Sequence, residues 1–523
     1  MTGRLGVVFG LLIFWPFDTT AFAAGHPKPD PPPPAYWLEV RTDGPGTQLE
    51  RLLALFQGTK APHPAAALTY WREATRGRGG PGKAAEAAIA ALNPAMVREL
   101  KPLDGAVVRF NTDPETRQTQ WYANVFHDDG ALAAAATALA LTDGAPQEPI
   151  AGAEVVRTGP EGSWLIANRP GRLVVAPGRE TLAAGLNASP DDPTPAEELT
   201  GLVARLDPDG LRTSGASLSA RRVGEALAGL TVTSAVGRLS FEGDDLCLDV
   251  KSLRGPRGVP RPGPGIQPGW LDPLATGRLL GAATASLDGG AAEVDDWFRL
   301  LDRVEKADPS RAQVAPLRVR LNLIAAAARV RPEADLWPNL RGISLVVLDD
   351  SKRGLVGLHT ADPASATRLA DETVVRLTSA FLKARPGDPT ADGSRTLGTI
   401  GGRPITLVTR RESLWIGWGD RALADGLAGP DAPASNLARD YFGAATPRRV
   451  GLVWPDRLAR SLKFNDSLVK ALVGAPPVTW VGRDEGHDAR DVVKAGGLHE
   501  VVRRGLDALP LKPPTDRATS PRN

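Results

Sequence analysis

Several places in this 523-residue chain hold side chains whose type and spacing could do chemistry. Gly77-Arg78-Gly79-Gly80-Pro81-Gly82-Lys83-Ala84 satisfies both GxxxxGK and GxGxxG. A phosphate-cradling loop needs a strand leading in, and a Ser or Thr after the lysine to hold magnesium. Ala84 stands in that place and Leu68 to Thr75 has no strand pattern, so the stretch reads as a Gly/Arg loop before a helix. Ser467-Leu468-Val469-Lys470 has the SxxK spacing in which a lysine activates a serine for acyl transfer. That chemistry also needs an SDN-like element and a KTG strand well downstream. Only Lys494-Ala495-Gly496 approximates the strand, and no SDN precedes it. The spacing therefore reads as one turn of an amphipathic helix, with Leu468 and Leu472 facing inward.

Asp484-Glu485-Gly486-His487-Asp488, with Asp491 nearby, is the densest group of potential metal ligands. It falls where a hairpin turn is expected, and its spacing matches no calcium or transition-metal site. His127 and His359 each precede a helix N-cap, Asp129 and Asp362, with Pro363 at the first helical position. They read as strand-end histidines at matching places in two copies, with a shared binding role as the alternative. Cys247 is the one cysteine. Between Leu246 and Leu248 it reads as a small buried hydrophobe on the inner face of a strand, and alone it supports neither an intramolecular disulfide nor a Cys-based zinc site. No catalytic, cofactor-binding or metal-binding residue is assigned, and no cofactor is implied.

The elements that would position these residues are strands and helices in alternation. Strands are expected at 36–40, 106–111, 118–126, 163–168, 172–176 and 216–219, with a hairpin of 231–241 and 246–251 turning at Gly243-Asp244. Helices are expected at 47–56, 83–92, from 129, at 179–186 and to about 227. Gly255 to Gly269 (GPRGVPRPGPGIQPG) reads as a linker.

Beyond that linker the same order returns, with an offset of about 232 to 245 residues. Asp43-Gly44 matches Asp288-Gly289. Leu100, Pro102, Leu103 and Gly105 match Leu336, Pro338, Leu340 and Gly342. Arg172 to Ala188 aligns without gaps on Ser413 to Gly429, pairing Gly178 with Gly419 and Gly185 with Gly426. Val236-Gly237-Arg238 matches Val481-Gly482-Arg483, and Asp249-Val250 matches Asp491-Val492. The expected fold is α+β: two tandem homologous lobes, each a mainly antiparallel sheet with packed helices. The expected divisions are a signal peptide 1–23, a Pro-rich spacer 24–35, lobe 1 at 36–254, a Gly/Pro-rich linker 255–276, lobe 2 at 277–512 and a disordered tail 513–523.

The start has the layout of a secretory signal: Arg4, an apolar run from Leu5 to Phe17, and Ala21-Phe22-Ala23 for cleavage before Ala24. The run is too short to span a bilayer, and no later segment reaches about 18 apolar residues. The expectation is an exported chain, periplasmic or extracellular, with no transmembrane segment after cleavage. The 62 basic residues against 60 acidic leave a formal charge of +2, which argues against nucleic acid as a partner. Twelve lysines leave fifty arginines among the basic residues, the bias of a GC-rich genome. With the Pro tract after the signal, the hairpin closed by Leu173 to Ala176 and the closing helix ending at Leu509-Pro510-Leu511, the layout resembles large, uncharacterised exported proteins of GC-rich planctomycete-type bacteria. That resemblance implies no activity and no site. Two functions are consistent with these features. One is a non-catalytic binding or scaffold protein of the cell envelope, taking an envelope ligand or protein in a groove between lobes. The other is an exported hydrolase with a carboxylate-based site between them.

Overall fold

The computed structural model describes residues 37–75, 103–112, 119–127, 145–158, 164–188, 202–213, 231–254, 265–287, 314–349, 352–428, 437–442, 446–464, 466–485 and 488–508, with a few positions between. The expected signal, spacer and tail, the Gly/Arg loop, the helices at 83–92 and from 129, the strand at 216–219 and His487 lie outside the described residues.

Before residue 255 the strands are β1 (Leu38–Asp43), β2 (Leu103–Thr112), β3 (Thr119–His127), β4 (Ala145–Ile150), β5 (Ala153–Thr158), β6 (Trp164–Arg169), β7 (Arg172–Ala176), β8 (Leu202–Leu206), β9 (Val232–Glu242) and β10 (Asp245–Arg254). After it come β11 (Leu279–Ser286), β12 (Gly342–Leu348), β13 (Gly354–His359), β14 (Arg395–Ile400), β15 (Arg403–Arg410), β16 (Ser413–Trp418), β17 (Arg449–Val453), β18 (Val478–Glu485) and β19 (Asp488–Ala495). Among the described residues, all pair antiparallel in one 19-stranded sheet. Its spatial order is β4-β5-β6-β7-β3-β2-β1-β8-β9-β10, then β19-β18-β17-β11-β12-β13-β16-β15-β14. The two parts join through β10 and β19, which pair from Leu246↔Ala495 to Leu253↔Asp488. The expected groove between lobes is thus replaced, at this seam, by continuous sheet.

Local chemistry accounts for the hairpins. Alternation in β9 and β10 makes two faces, and Gly243 (φ 62°) takes the left-handed turn conformation that a side chain disfavours. The β6–β7 turn uses Gly171 (φ 76°) in the same way. Three helices after strands were legible: 45–54, 179–187 and the one capped by Asp362, whose Oδ1 accepts from Ser365 N–H at 2.7 Å behind Pro363. The helix Pro64–Thr75 and strands β4, β5 and β8 carry weaker periodicity and were not expected.

Helices cover the sheet on both faces. On one face, helix Arg179–Asn187 packs Leu182 and Leu186 on Tyr122, Leu165 and Val174. On that same face after β11, Trp270, Leu279, Val346, Leu355, Trp415 and Leu452 form the largest core. Gly185 and Gly426 sit where their helices press closest to this face, against Val174 and Leu355 respectively, and a Cβ at either would collide. On the opposite face, Leu369 and Val374 cover Leu407 and Leu414. The segment expected as linker enters the core early: Ile266, Trp270, Leu271 and Leu274 are all buried. Its proline-rich part, 255–264, lies outside the described residues; from 265 on, Pro268 starts a single 3₁₀ turn that delivers the Trp270 ring to the sheet.

Candidate functional site

Two arrangements on this sheet bring reactive or ligand-binding side chains together. The first crosses four neighbouring strands inside the large core. Thr284 Oγ1 and Ser344 Oγ lie 2.7 Å apart, Ser344 Oγ lies 2.7 Å from His359 Nε2, and His359 Nδ1 lies 2.7 Å from Ser413 Oγ. Register makes this possible: Thr284 is directly opposite Ser344, His359 is directly opposite Ser413, and Ser344 is diagonal to His359. Trp270 stacks on the imidazole at 4.6 Å with 2° between planes, and Trp415 meets it edge-on at 5.6 Å. Gly342 and Gly357 leave the room that the two indoles fill.

A serine at hydrogen-bond distance from a histidine is the geometry of nucleophile activation. Here all four polar side chains are buried, and both ends of the imidazole are occupied. Burial pushes the His359 pKa down to about 3. The ring is therefore neutral, with one nitrogen donating and the other accepting, which matches a hydroxyl at each end. The arrangement holds a polar core together and gives no substrate access to Ser344 or Ser413.

His127 is not its counterpart. Phe126 pairs with Gly105 and Arg172, as His359 pairs with Gly342 and Ser413. His127 is thus one residue out of register, because equal spacing to a following helix does not fix strand register. The same correction applies to Asp249 and Asp491. Asp249 pairs with Val492, and Val250 with Asp491, so the two aspartates lie on opposite faces.

The first part of the sheet uses a different row for its buried polar groups. Arg109 Nε donates to Glu39 Oε2 at 2.7 Å and its Nη1 reaches the Tyr122 hydroxyl at 3.2 Å. Burial alone would raise the Glu39 pKa, but Arg41 and Arg109 hold it below the usual carboxylate value.

The second arrangement is a face. Reading straight across the sheet, register aligns Leu202, Leu239, Leu248, Val493, Trp480, Gly451, Ala283 and Leu345. Every member is apolar. Leu202, Ile343 and Leu345 remain about two-fifths exposed, at 40%, 39% and 41%. On β12 the usual preference is inverted: Ser344 is buried while Ile343 and Leu345 face outward.

Beside this row sits an ionic cluster. Asp484 takes Arg449 at 3.0 Å and Arg254 at 3.4 Å; Asp491 takes Arg449 at 3.3 Å and the Trp480 indole N–H at 3.0 Å. Of the three aspartates in the expected metal-ligand group, Asp484 and Asp491 are therefore held by arginines and Asp488 pairs with Lys251 at 3.2 Å, and no group of three metal-ligating side chains occurs among the described residues. Ser467 and Lys470 lie in helix Asp466–Leu472; Ser467 Oγ reaches the carbonyl of Ala508 at 3.5 Å and Lys470 is exposed. Leu468 is 38% exposed, so Ala471 supplies that helix's buried contact instead. Cys247 is buried as expected, although alternation puts it on the strand face of Asp249 rather than that of Leu246 and Leu248, and burial raises its thiol pKa. No described helix is long and apolar enough to cross a membrane.

No family model matches the chain, and no curated protein does. Among solved structures, crystal forms III and I of TP0453 give TM-scores of 0.25 and 0.24 at 9% identity. Each match covers 43% of this chain, and 78% and 77% of theirs respectively. A likeness of that size carries no argument about function.

Proposed function

We propose that the protein is an exported, non-catalytic binding protein of the cell envelope, built by tandem duplication, that holds an apolar chain on the uncovered face of its central strands. The observation that carries the reading is the apolar row from Leu202 to Leu345, with Ile343 and Leu345 exposed while Ser344 is buried. An apolar row across a sheet that stays half-buried along its middle strands and exposed at Leu202 and Leu345 marks a surface that something covers. The burial of His359 and its serines speaks against serine–histidine hydrolysis at that cluster.

The duplication is supported by strand order. The series β5-β6-β7-β3-β2-β1-β8-β9-β10 corresponds, member by member, to β14-β15-β16-β13-β12-β11-β17-β18-β19. Gly185 and Gly426 share a reason to persist, since each lets a helix approach the sheet. Two copies meeting through like strands give the seam an isologous character, with each last strand serving as the other's neighbour. Export rests on the signal-like start.

The test is native mass spectrometry of protein purified from its own envelope fraction, without delipidation. A bound mass is expected in the parent, and its loss in an Ile343→Lys, Leu345→Lys variant whose far-ultraviolet circular dichroism is unchanged. A parent with no bound mass, or a variant that retains it, would sink the reading.

A further inference from the structure

A groove of about 420 Å³ lies away from the sheet face, bounded by residues 329–339 and by one face of the helix that follows Asp362. Four arginines line it: Arg329, Arg331, Arg368 and Arg376. Arg368 and Arg376 stand two helical steps of four apart, with Glu372 between them. The side chains of Arg329, Arg331 and Arg376 make no ion pair or hydrogen bond among the described residues. Arg368 Nη2 donates to Ser365 Oγ at 3.2 Å. Asp335, the other acid in the lining, has Oδ2 bonded to the Arg331 backbone N–H at 2.7 Å. Four guanidiniums against two carboxylates leave a formal excess of two positive charges in one concavity.

The backbone around the groove is unusual in two places. Pro332–Leu336 and Leu369–Val374 are both π-helical turns, and both contribute to the lining. Such turns are rare and concentrate at functional sites. They are tied together by the Thr373 hydroxyl, which donates to the Asp335 carbonyl at 3.4 Å. Arg329 takes φ 55°, the left-handed conformation that ends the helix Val314–Ala328 and turns the chain into the groove's wall.

We propose that this groove is a binding site for a multivalent oxyanion, a ligand carrying at least two phosphate or carboxylate groups. Arginine's planar fork suits either group, and guanidiniums that meet no carboxylate among the described residues favour a ligand that neutralises several at once. The site is separate from the apolar face and does not depend on that reading.

Isothermal titration of the full chain at low salt, with pyrophosphate and separately with citrate, tests it. Saturable binding of one or both is expected, weakening as salt rises. The double variant Arg368→Gln, Arg376→Gln should bind at least tenfold more weakly with an unchanged melting temperature. A control at exposed Arg439, outside the groove, should bind as the parent does. Binding of pyrophosphate alone identifies a phosphate ligand, and of citrate alone a carboxylate ligand. No heat with either probe, or an equal loss in Arg439→Gln, overturns the proposal.

Discussion

Arg449 reaches Asp491 across a strand that contributes no side chain between them. The Arg449 Nε and Asp491 Oδ1 are 3.3 Å apart, and the residue opposite both is Gly482. A Cβ at Gly482 would run into the Asp491 carboxylate and the Arg449 guanidinium. Gly237 lies on the same face of β9, yet its nearest neighbour for a Cβ is Val250 Cγ2 at 3.8 Å.

Gly482→Ala should therefore cost about 1–3 kcal/mol through overpacking. Gly237→Ala should cost under about 1 kcal/mol, since it meets only ordinary van der Waals contact. Urea denaturation of both variants checks this, and equal costs would refute the bridging role of Gly482.

Stability should fall with acid because of His359. Its folded pKa is about 3 against 6.5 when unfolded, so between those values the unfolded chain binds the proton that the folded chain refuses. The contribution is complete above about pH 6.5 and is lost as pH falls toward 3, by up to about 1.4 kcal/mol per pH unit. His359→Gln should flatten that slope between pH 6 and 4, after allowance for its own lower stability. A slope unchanged by the substitution would refute the assignment.

Trp270→Ala should destabilise by about 3–5 kcal/mol, the range for removing a large buried aromatic. A spacer residue would cost almost nothing. Because the Trp270 ring covers His359, the variant should also raise the His359 pKa, readable by nuclear magnetic resonance titration of the imidazole. A loss below about 1 kcal/mol would return the segment to the role of a linker.

Breaking the buried pair at Glu39 should be costly. Glu39→Ala leaves Arg109 buried without its carboxylate and should destabilise by about 3–5 kcal/mol. Replacing Glu39, Arg109 and Tyr122 together by Ala, Val and Leu copies the apolar row Ala282, Val346 and Leu355 of the later strands. That triple variant should recover most of the loss. Thermal melts of both discriminate, and a triple variant as unstable as the single one would contradict it.

Cleavage before Ala24 should leave Ala24 as the native N-terminus. Sequencing of protein recovered from the envelope fraction checks it, and Met1 at that position would remove the basis for export.

The hairpin at Gly243, the β6–β7 turn and the helix behind Asp362 were legible because each depends on residues within a few positions. A Gly supplies the turn, a carboxylate satisfies an N-terminal amide, and alternation sets which side chains share a face. What sequence order alone could not supply was register. Shifting a strand by one residue exchanges its faces, and only pairing partners far along the chain fix that shift. His127 and His359, or Asp249 and Asp491, therefore match as letters and differ as positions. The exposure of Ile343 beside buried Ser344 was likewise decided by tertiary structure, which places Thr284 and His359 beside the serine and leaves the isoleucine uncovered. The arginine groove depends on the same kind of fact, since residues 329–339 and 365–376 become its two walls only when their helices pack.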